Sequence, residues 1–227
     1  MGGSLLQGRA RGAYRIPWIV AACLTLSHAP VPLAWAQPGF SGSGQFAVVP
    51  VDEALSLPAW NRLAEEFLRD QEAVAACMAD GACEHPVARR LASFLEDIGA
   101  RSRPAQLRAV NRYVNRVPYA RDATTHGVHD FWQSPLTFLA TAGDCEDYAI
   151  SKYLALRLLG FAEEDLELIV LIDEQRRQPH AVLLVRDDER LWVLDNRRDE
   201  LAGSFPRNYR PVYAVNQIGR WLFAARP

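Results

Sequence analysis

Lysine is almost missing from this chain: Lys152 is the only one among 25 basic residues, and the rest are Arg. The skew fits a GC-rich coding sequence, and 27 acidic residues offset it to a formal net charge of −2, which excludes a strongly basic nucleic-acid binder. Four cysteines in 227 residues are too few for a disulfide-built scaffold. No apolar run reaches the roughly 20 residues of a membrane-spanning helix. Internal repeats are absent, and low complexity is confined to one short Gly/Ser stretch. What remains, at 49% hydrophobic and 23% charged, is the composition of a soluble globular domain.

The N-terminus reads as an address. Arg9, Arg11 and Arg15 precede the apolar run Ile16 to Leu26, which Pro17 interrupts, and Ala34-Trp35-Ala36 supplies the small residues a signal peptidase reads. Cleavage before Gln37 is expected, giving an exported, periplasmic product. Cys23 sits in a lipobox-like Val20-Ala21-Ala22-Cys23, but the apolar run continues past it, so it is expected to leave with the signal peptide. Gln37 to Gln45 reads as a flexible leader, continuing to Ser56, with the folded domain expected over 57–227.

Between Leu57 and Gly160 the apolar spacing is helical. Trp60, Leu63, Ala64, Phe67 and Leu68 share one stripe after Pro58; further helices are expected over Pro86 to Ile98 and Pro104 to Val117. After Gly160 the signal changes to short β-branched runs, expected as strands over Leu166–Asp173, His180–Arg186, Leu191–Asp195, Pro211–Asn216 and Arg220–Ala224. Helices followed by strands indicate an α+β fold with an antiparallel sheet.

Cys77 and Cys83 flank a turn-like segment. In an exported protein this spacing favours a disulfide; a pair of metal ligands is the alternative, although no second pair with zinc spacing follows. Cys145 is then the odd thiol. Gly143 breaks the preceding pattern and Asp144 suits an N-cap, so Cys145 falls in a first helical turn, where backbone N–H groups favour a thiolate. A buried structural cysteine is the bland alternative.

Two residues downstream favour chemistry. If the second and third strands form a hairpin around Asp187 to Arg190, Arg186 faces Leu191 and His180 lies near the level of residues 195–197. Asp195 is then placed to orient His180, and His180 to take a proton from Cys145. Asp144, Glu146 and Asp147 crowd the thiol with carboxylates. Capping accounts for one or two of them; three oxygen donors together also suit Ca2+ outside the cytoplasm, without EF-hand spacing.

The run Gly143-Asp144-Cys145-Glu146-Asp147-Tyr148-Ala149-Ile150-Ser151-Lys152-Tyr153, with Val117-Pro118-Tyr119, Asp130-Phe131-Trp132-Gln133-Ser134-Pro135, His180-Ala181-Val182-Leu183 and Leu194-Asp195-Asn196, closely resembles the bacterial transglutaminase-like cysteine peptidases, and within them the LapG type. The resemblance extends from about Trp60 to Trp221 and includes the Cys77 and Cys83 pair. It implies a papain/transglutaminase-like core with the nucleophile at a helix N-terminus. Cys145 would be the nucleophile, His180 the general base and then acid, and Asp195 the residue fixing the imidazole. Asp144, Glu146 and Asp147 match the positions that gather Ca2+. The implied substrate is a large surface adhesin cut in its N-terminal region, dispersing biofilm. The implied regulator is the periplasmic domain of an inner-membrane cyclic di-GMP receptor. Thr137 departs from the pattern, since many relatives carry an acidic residue there.

Other candidates read more simply. Trp132 and Gln133 suit either core packing or the oxyanion region. His126 and His129 lack a third metal ligand. Arg176, Arg177, Arg197 and Arg198 read as solvated loop charges, and Asn196 as support for Asp195 or a strand end. An acyl transferase with the same three residues, or a non-catalytic binding module on the same fold, are the alternative functions.

Overall fold

Proline stands in the first turn of four of the helices, where its missing N–H costs nothing. These are α1 (Pro58–Asp80), α2 (Pro86–Gly99), α3 (Arg103–Val114, with Pro104 in the first turn) and α5 (Pro135–Ala140). A short α4 (Asp122–Thr125) precedes α5, and α6 (Cys145–Leu158) follows it. The computed structural model describes residues 46–51, 57–80, 83–128, 130–188 and 190–225. The expected signal peptide, 1–36, and the Gly/Ser-rich stretch 37–45 lie outside them. No helix among the described residues is long and apolar enough to cross a membrane.

Six antiparallel strands form one sheet: β1 (Phe46–Pro50), β2 (Leu166–Asp173), β3 (Gln178–Asp187), β4 (Arg190–Leu194), β5 (Tyr209–Val215) and β6 (Arg220–Ala225), in the order β1-β6-β5-β2-β3-β4. The five strands expected after Gly160 are present within one or two residues. β1 corrects the leader expected over 37–56: Phe46–Pro50 pairs along β6 from Phe46↔Ala225 to Pro50↔Trp221 and covers an otherwise open sheet edge. Its Phe-Ala-Val-Val sequence has strand propensity, but only the distant β6 gives it a partner. Two helix ends also move. Met78–Asp80 remain helical, where a turn was expected, and α3 stops at Val114 short of Val117.

Residues Asp147 to Leu156 of α6 are all buried, the condition of a helix surrounded on every side. α6 packs on α3 and α5 and on strands β2 and β3. The main core joins Leu63, Phe67, Leu91, Leu95 and Leu107 of the outer helices to Leu154 of α6 and to Leu168 and Leu183 of the sheet. A smaller cluster, including Ile169, Val182, Leu184 and Tyr209, has Ala202 and Phe205 packed against it. Cys77 and Cys83 form the disulfide, closing the end of α1 toward α2 with Cα atoms 4.7 Å apart.

Candidate active site

The β3–β4 hairpin has the expected register. Arg186 faces Leu191 and the ladder runs to Leu183↔Leu194, with Asp188 in the left-handed conformation at the turn. Beyond the ladder, His180 Nε2 lies 2.9 Å from Asp195 Oδ1, and both side chains are buried. Asp195 is held from several sides. Its Oδ1 also accepts the Arg197 N–H at 3.0 Å, and its Oδ2 accepts the Tyr209 hydroxyl at 2.7 Å. Burial by itself would raise the Asp195 carboxyl, but the bond and charge of His180, with the Arg197 and Tyr209 donors, outweigh it and hold the group below the usual carboxylate range. The carboxylate therefore accepts from Nε2–H, which leaves Nδ1 as the basic nitrogen. Nδ1 is buried and has no protein hydrogen-bond partner. Burial lowers the His180 imidazole, with Asp195 opposing, so the ring favours its neutral form.

Cys145 is the first residue of α6, with Asp144 extended before it as N-cap. The Asp144 N–H donates to Asp147 Oδ2 at 3.1 Å, so the acid three residues into the helix secures its entrance. Gly143 is required at this entrance. A Cβ there would collide with Asp147 Oδ2 and come within 2.7 Å of Gln133 Nε2 and Phe138 Cδ2. The Gly143 carbonyl accepts the Ala120 N–H at 2.9 Å, and Gly143 bridges Tyr119, tying that segment to the start of α6. Cys145, Glu146, His180, Tyr119, Asn196 and Arg197 all line one cavity of about 780 Å³. The three expected catalytic positions are thus brought together: Cys145 and His180 share the cavity, and Asp195 lies behind His180.

The thiol itself donates to Glu146 Oε2 at 2.9 Å. Burial, then the Glu146 charge, push Cys145 well above the ordinary thiol range, with the Ala181 N–H acting the other way. The acids crowd one another too. Burial, then the Asp144 charge, push Glu146 up to about 8, and burial pushes Asp147 up to about 7 against the bonds from Gln133. Asp144 and Asp122 are also raised by burial. Two donor groups share Asp144: Asp144, Cys145 and Glu146, and Asp122, Asp144 and Asp147, each with ligand atoms within 4.8 Å of one another. The expected metal set of Asp144, Glu146 and Asp147 is therefore gathered around Asp144, and Asp122 joins it. Asp122 Oδ1 is buried without a partner, while its Oδ2 accepts the Phe131 N–H at 2.6 Å. Hard carboxylate oxygens in this number fit Ca2+; the thiol does not.

Several contributors were hidden in the sequence. Asp122 lies far upstream in an unremarkable Arg-Asp-Ala, and Tyr209 opens a distant strand. Gln133 is buried, donating to Asp147 Oδ2 and the Ala142 carbonyl at 2.9 Å each, which assigns it to holding Asp147 and not to the cavity wall. Trp132 is core, edge-on to Trp60. Arg197 is more than a solvated charge: its Nη1 bonds the buried Asp173 at 2.7 Å. Exposed Thr137 packs with the Ser134 cap of α5, and His126 stacks on Phe131; His129 lies outside the described residues.

A cysteine at the N-terminus of a buried helix, sharing a cavity with a histidine on an antiparallel sheet, defines the class: an α+β fold with a papain-like core. The family model of the bacterial transglutaminase-like cysteine proteinases matches residues 81–222, and the chain belongs to that family; it is a transglutaminase-like cysteine protease. Calcium-bound LapG of Legionella pneumophila superposes with a TM-score of 0.56 at 25% identity, covering 67% of this chain and 87% of that one. EGTA-treated LapG of the same organism gives 0.55 at 24% identity, covering 69% and 84%. No curated protein matches the chain by sequence.

Proposed function

We propose that this chain is a periplasmic, calcium-dependent cysteine endopeptidase that cleaves the N-terminal region of a large surface adhesin, releasing it and dispersing biofilm. The observation that carries the reading is the buried His180–Asp195 pair, with His180 Nδ1 free of protein partners and His180 lining one cavity with Cys145. Cys145 is the nucleophile: its thiol proton passes to His180 Nδ1 as sulfur adds to the scissile carbonyl. The backbone N–H of Cys145, unpaired at the helix start, faces the developing oxyanion. Collapse of the tetrahedral adduct forms a thioester, and His180 hands the proton to the leaving amine. Water then hydrolyses the thioester with His180 as base.

Asp144, Glu146, Asp147 and Asp122 hold the calcium. Bound there, the ion would supply positive charge beside the thiol among these carboxylates, favouring thiolate over thiol. The calcium-bound state of the Legionella protein supports that assignment. Export is supported by the signal-like N-terminus and the Cys77–Cys83 disulfide. The periplasmic domain of an inner-membrane cyclic di-GMP receptor is the proposed regulator. The experiment is cleavage of an adhesin N-terminal fragment by the parent and by Cys145→Ala. Loss of cleavage with an unchanged circular dichroism spectrum is expected; undiminished cleavage would sink the reading.

A further inference from the structure

Asp173 is a fully buried carboxylate that no step of the reaction uses. It closes β2, where it stands opposite Gln178 on β3 and Tyr209 on β5, and two residues earlier Leu171 stands opposite His180. Residues two apart on a strand share a face, so Asp173 lies on the side of the sheet that carries His180 and Tyr209. A buried aspartate is retained only where its oxygens are satisfied.

Its two oxygens reach in different directions. Oδ1 accepts the Gln175 and Arg176 N–H groups at 3.1 and 3.2 Å and the Asn208 amide nitrogen at 3.0 Å. Oδ2 accepts Arg197 Nη1 at 2.7 Å and Arg176 Nη1 at 3.3 Å. The two N–H bonds make an ordinary aspartate turn after β2, which asks for neither burial nor a distant partner. The bonds from Arg197 and Asn208 lead instead to the donors that hold Asp195. The Arg197 N–H is on Asp195 Oδ1 at 3.0 Å, and Tyr209, which follows Asn208, has its hydroxyl on Oδ2 at 2.7 Å. Arg198 brings its Nε to 3.7 Å from the same Oδ2 but is more exposed. Among the described residues, Arg197 is the one that bonds both carboxylates, with its main chain on Asp195 and its guanidinium on Asp173.

We propose that Asp173 is a positioning residue for the His180–Asp195 pair: by fixing Arg197 and Asn208 it keeps the Arg197 N–H and the Tyr209 hydroxyl on Asp195, and so keeps the Asp195 carboxylate aimed at the Nε2–H of His180. It touches no substrate and acts through Asp195. The inference rests on the reading of His180 as the acid–base residue, whose Nδ1 is available only while Nε2 holds the other proton. Hydrogen bonds between charged groups are the stronger ones, so the Arg197 guanidinium is fixed more firmly by Asp173 than a neutral acceptor would fix it.

The Nε2–H of His180 tests this in the full mature chain, as a low-field NMR proton signal assigned by its absence in His180→Gln. Asp173→Asn keeps an acceptor for the turn and removes the charge that fixes Arg197. Exchange of the Nε2 proton with water is expected to quicken about tenfold or more. Arg197→Met keeps the Arg197 N–H position but removes the guanidinium; it is expected to quicken exchange likewise, and it decides the matter if Asp173→Asn does not fold. Leu95→Ala, a core cavity in α2, is expected to lower the melting temperature and leave the exchange as in the parent. Unchanged exchange in either folded variant overturns the proposal, and so does equal quickening in Leu95→Ala. On the adhesin fragment, Asp173→Asn should lower kcat about tenfold with KM within about twofold, and should add no further loss in Asp195→Asn. A loss confined to KM, or a full additional loss in Asp195→Asn, also overturns it. The proton readout needs no substrate, so it stands apart from the peptidase reading, which the Cys145→Ala cleavage experiment decides.

Discussion

Tyr209 and His180 divide the Asp195 carboxylate between them: the hydroxyl bonds Oδ2 at 2.7 Å and the imidazole Nε2 bonds Oδ1 at 2.9 Å, with the two rings 5.6 Å apart and nearly perpendicular. With the Arg197 N–H also on Oδ1, the carboxylate has no freedom to rotate away from the ring. The orientation of His180 is therefore set by three elements: β3, the segment after β4, and β5.

Replacing Asp195 with Asn should lower kcat/KM for adhesin-fragment cleavage about a thousandfold or more, because an amide can donate to Nε2 and leave the proton on the wrong nitrogen. Tyr209→Phe removes a single donor and should cost about tenfold or less. Equal losses in the two variants would show that Tyr209 does more than orient Asp195.

Calcium binding should weaken as the pH falls from 8 to 6. Glu146, raised to about 8, and Asp147, raised to about 7, must lose protons before they can bind the ion, so binding releases protons and affinity grows with pH. Calorimetric titrations with calcium at several pH values measure this directly. Asp122→Asn should weaken binding by roughly tenfold at pH 7.5; unchanged affinity would exclude Asp122 from the ligand set.

Gly143→Ala should destabilise the domain by about 1–3 kcal/mol, since the added methyl meets Asp147, Gln133 and Phe138 at a closed helix entrance. The same displacement moves Cys145. Iodoacetamide labelling of the thiol should therefore change along with the denaturation midpoint, a coupling that a remote core mutation would not show.

Removing the Cys77–Cys83 bridge by a double Ala substitution should cost about 2 kcal/mol, the chain-entropy value for so short a loop. That corresponds to a melting temperature lower by about 4–8 °C. Cleavage at 25 °C should be retained, because neither cysteine lines the Cys145 cavity.

Much of the fold was legible because local chemistry and tertiary environment agree. Prolines mark the helix starts, β2 was bounded to the residue at Leu166–Asp173, and the Asp187–Arg190 turn set a register that carried His180 to the level of Asp195. Reading failed where the deciding partner is remote. Phe46–Pro50 is a strand because β6 lies beside it, and nothing adjacent in sequence announces that. Asp122 and Tyr209 carry no motif, and the motif that holds Gln133 does not say which acid it serves; the three matter through bonds to Asp144, Asp195 and Asp147 across the fold. The Asp122 N–H lies 3.5 Å from Asp144 Oδ2, a contact between the start of α4 and the N-cap of α6.

The amino-acid order alone determined the identities that chemistry requires: one odd cysteine behind a glycine and an N-capping acid, a histidine and an aspartate near one end of a hairpin, and a cluster of acids beside the thiol. Those are local matters of propensity, periodicity and turn counting. Only the tertiary structure decided their electrical state. Burial raised the thiol and its acidic neighbours, while converging donors kept Asp195 ionised. Desolvation and charge pairing depend on which distant side chains exclude water from a group, and the folded chain alone fixes that.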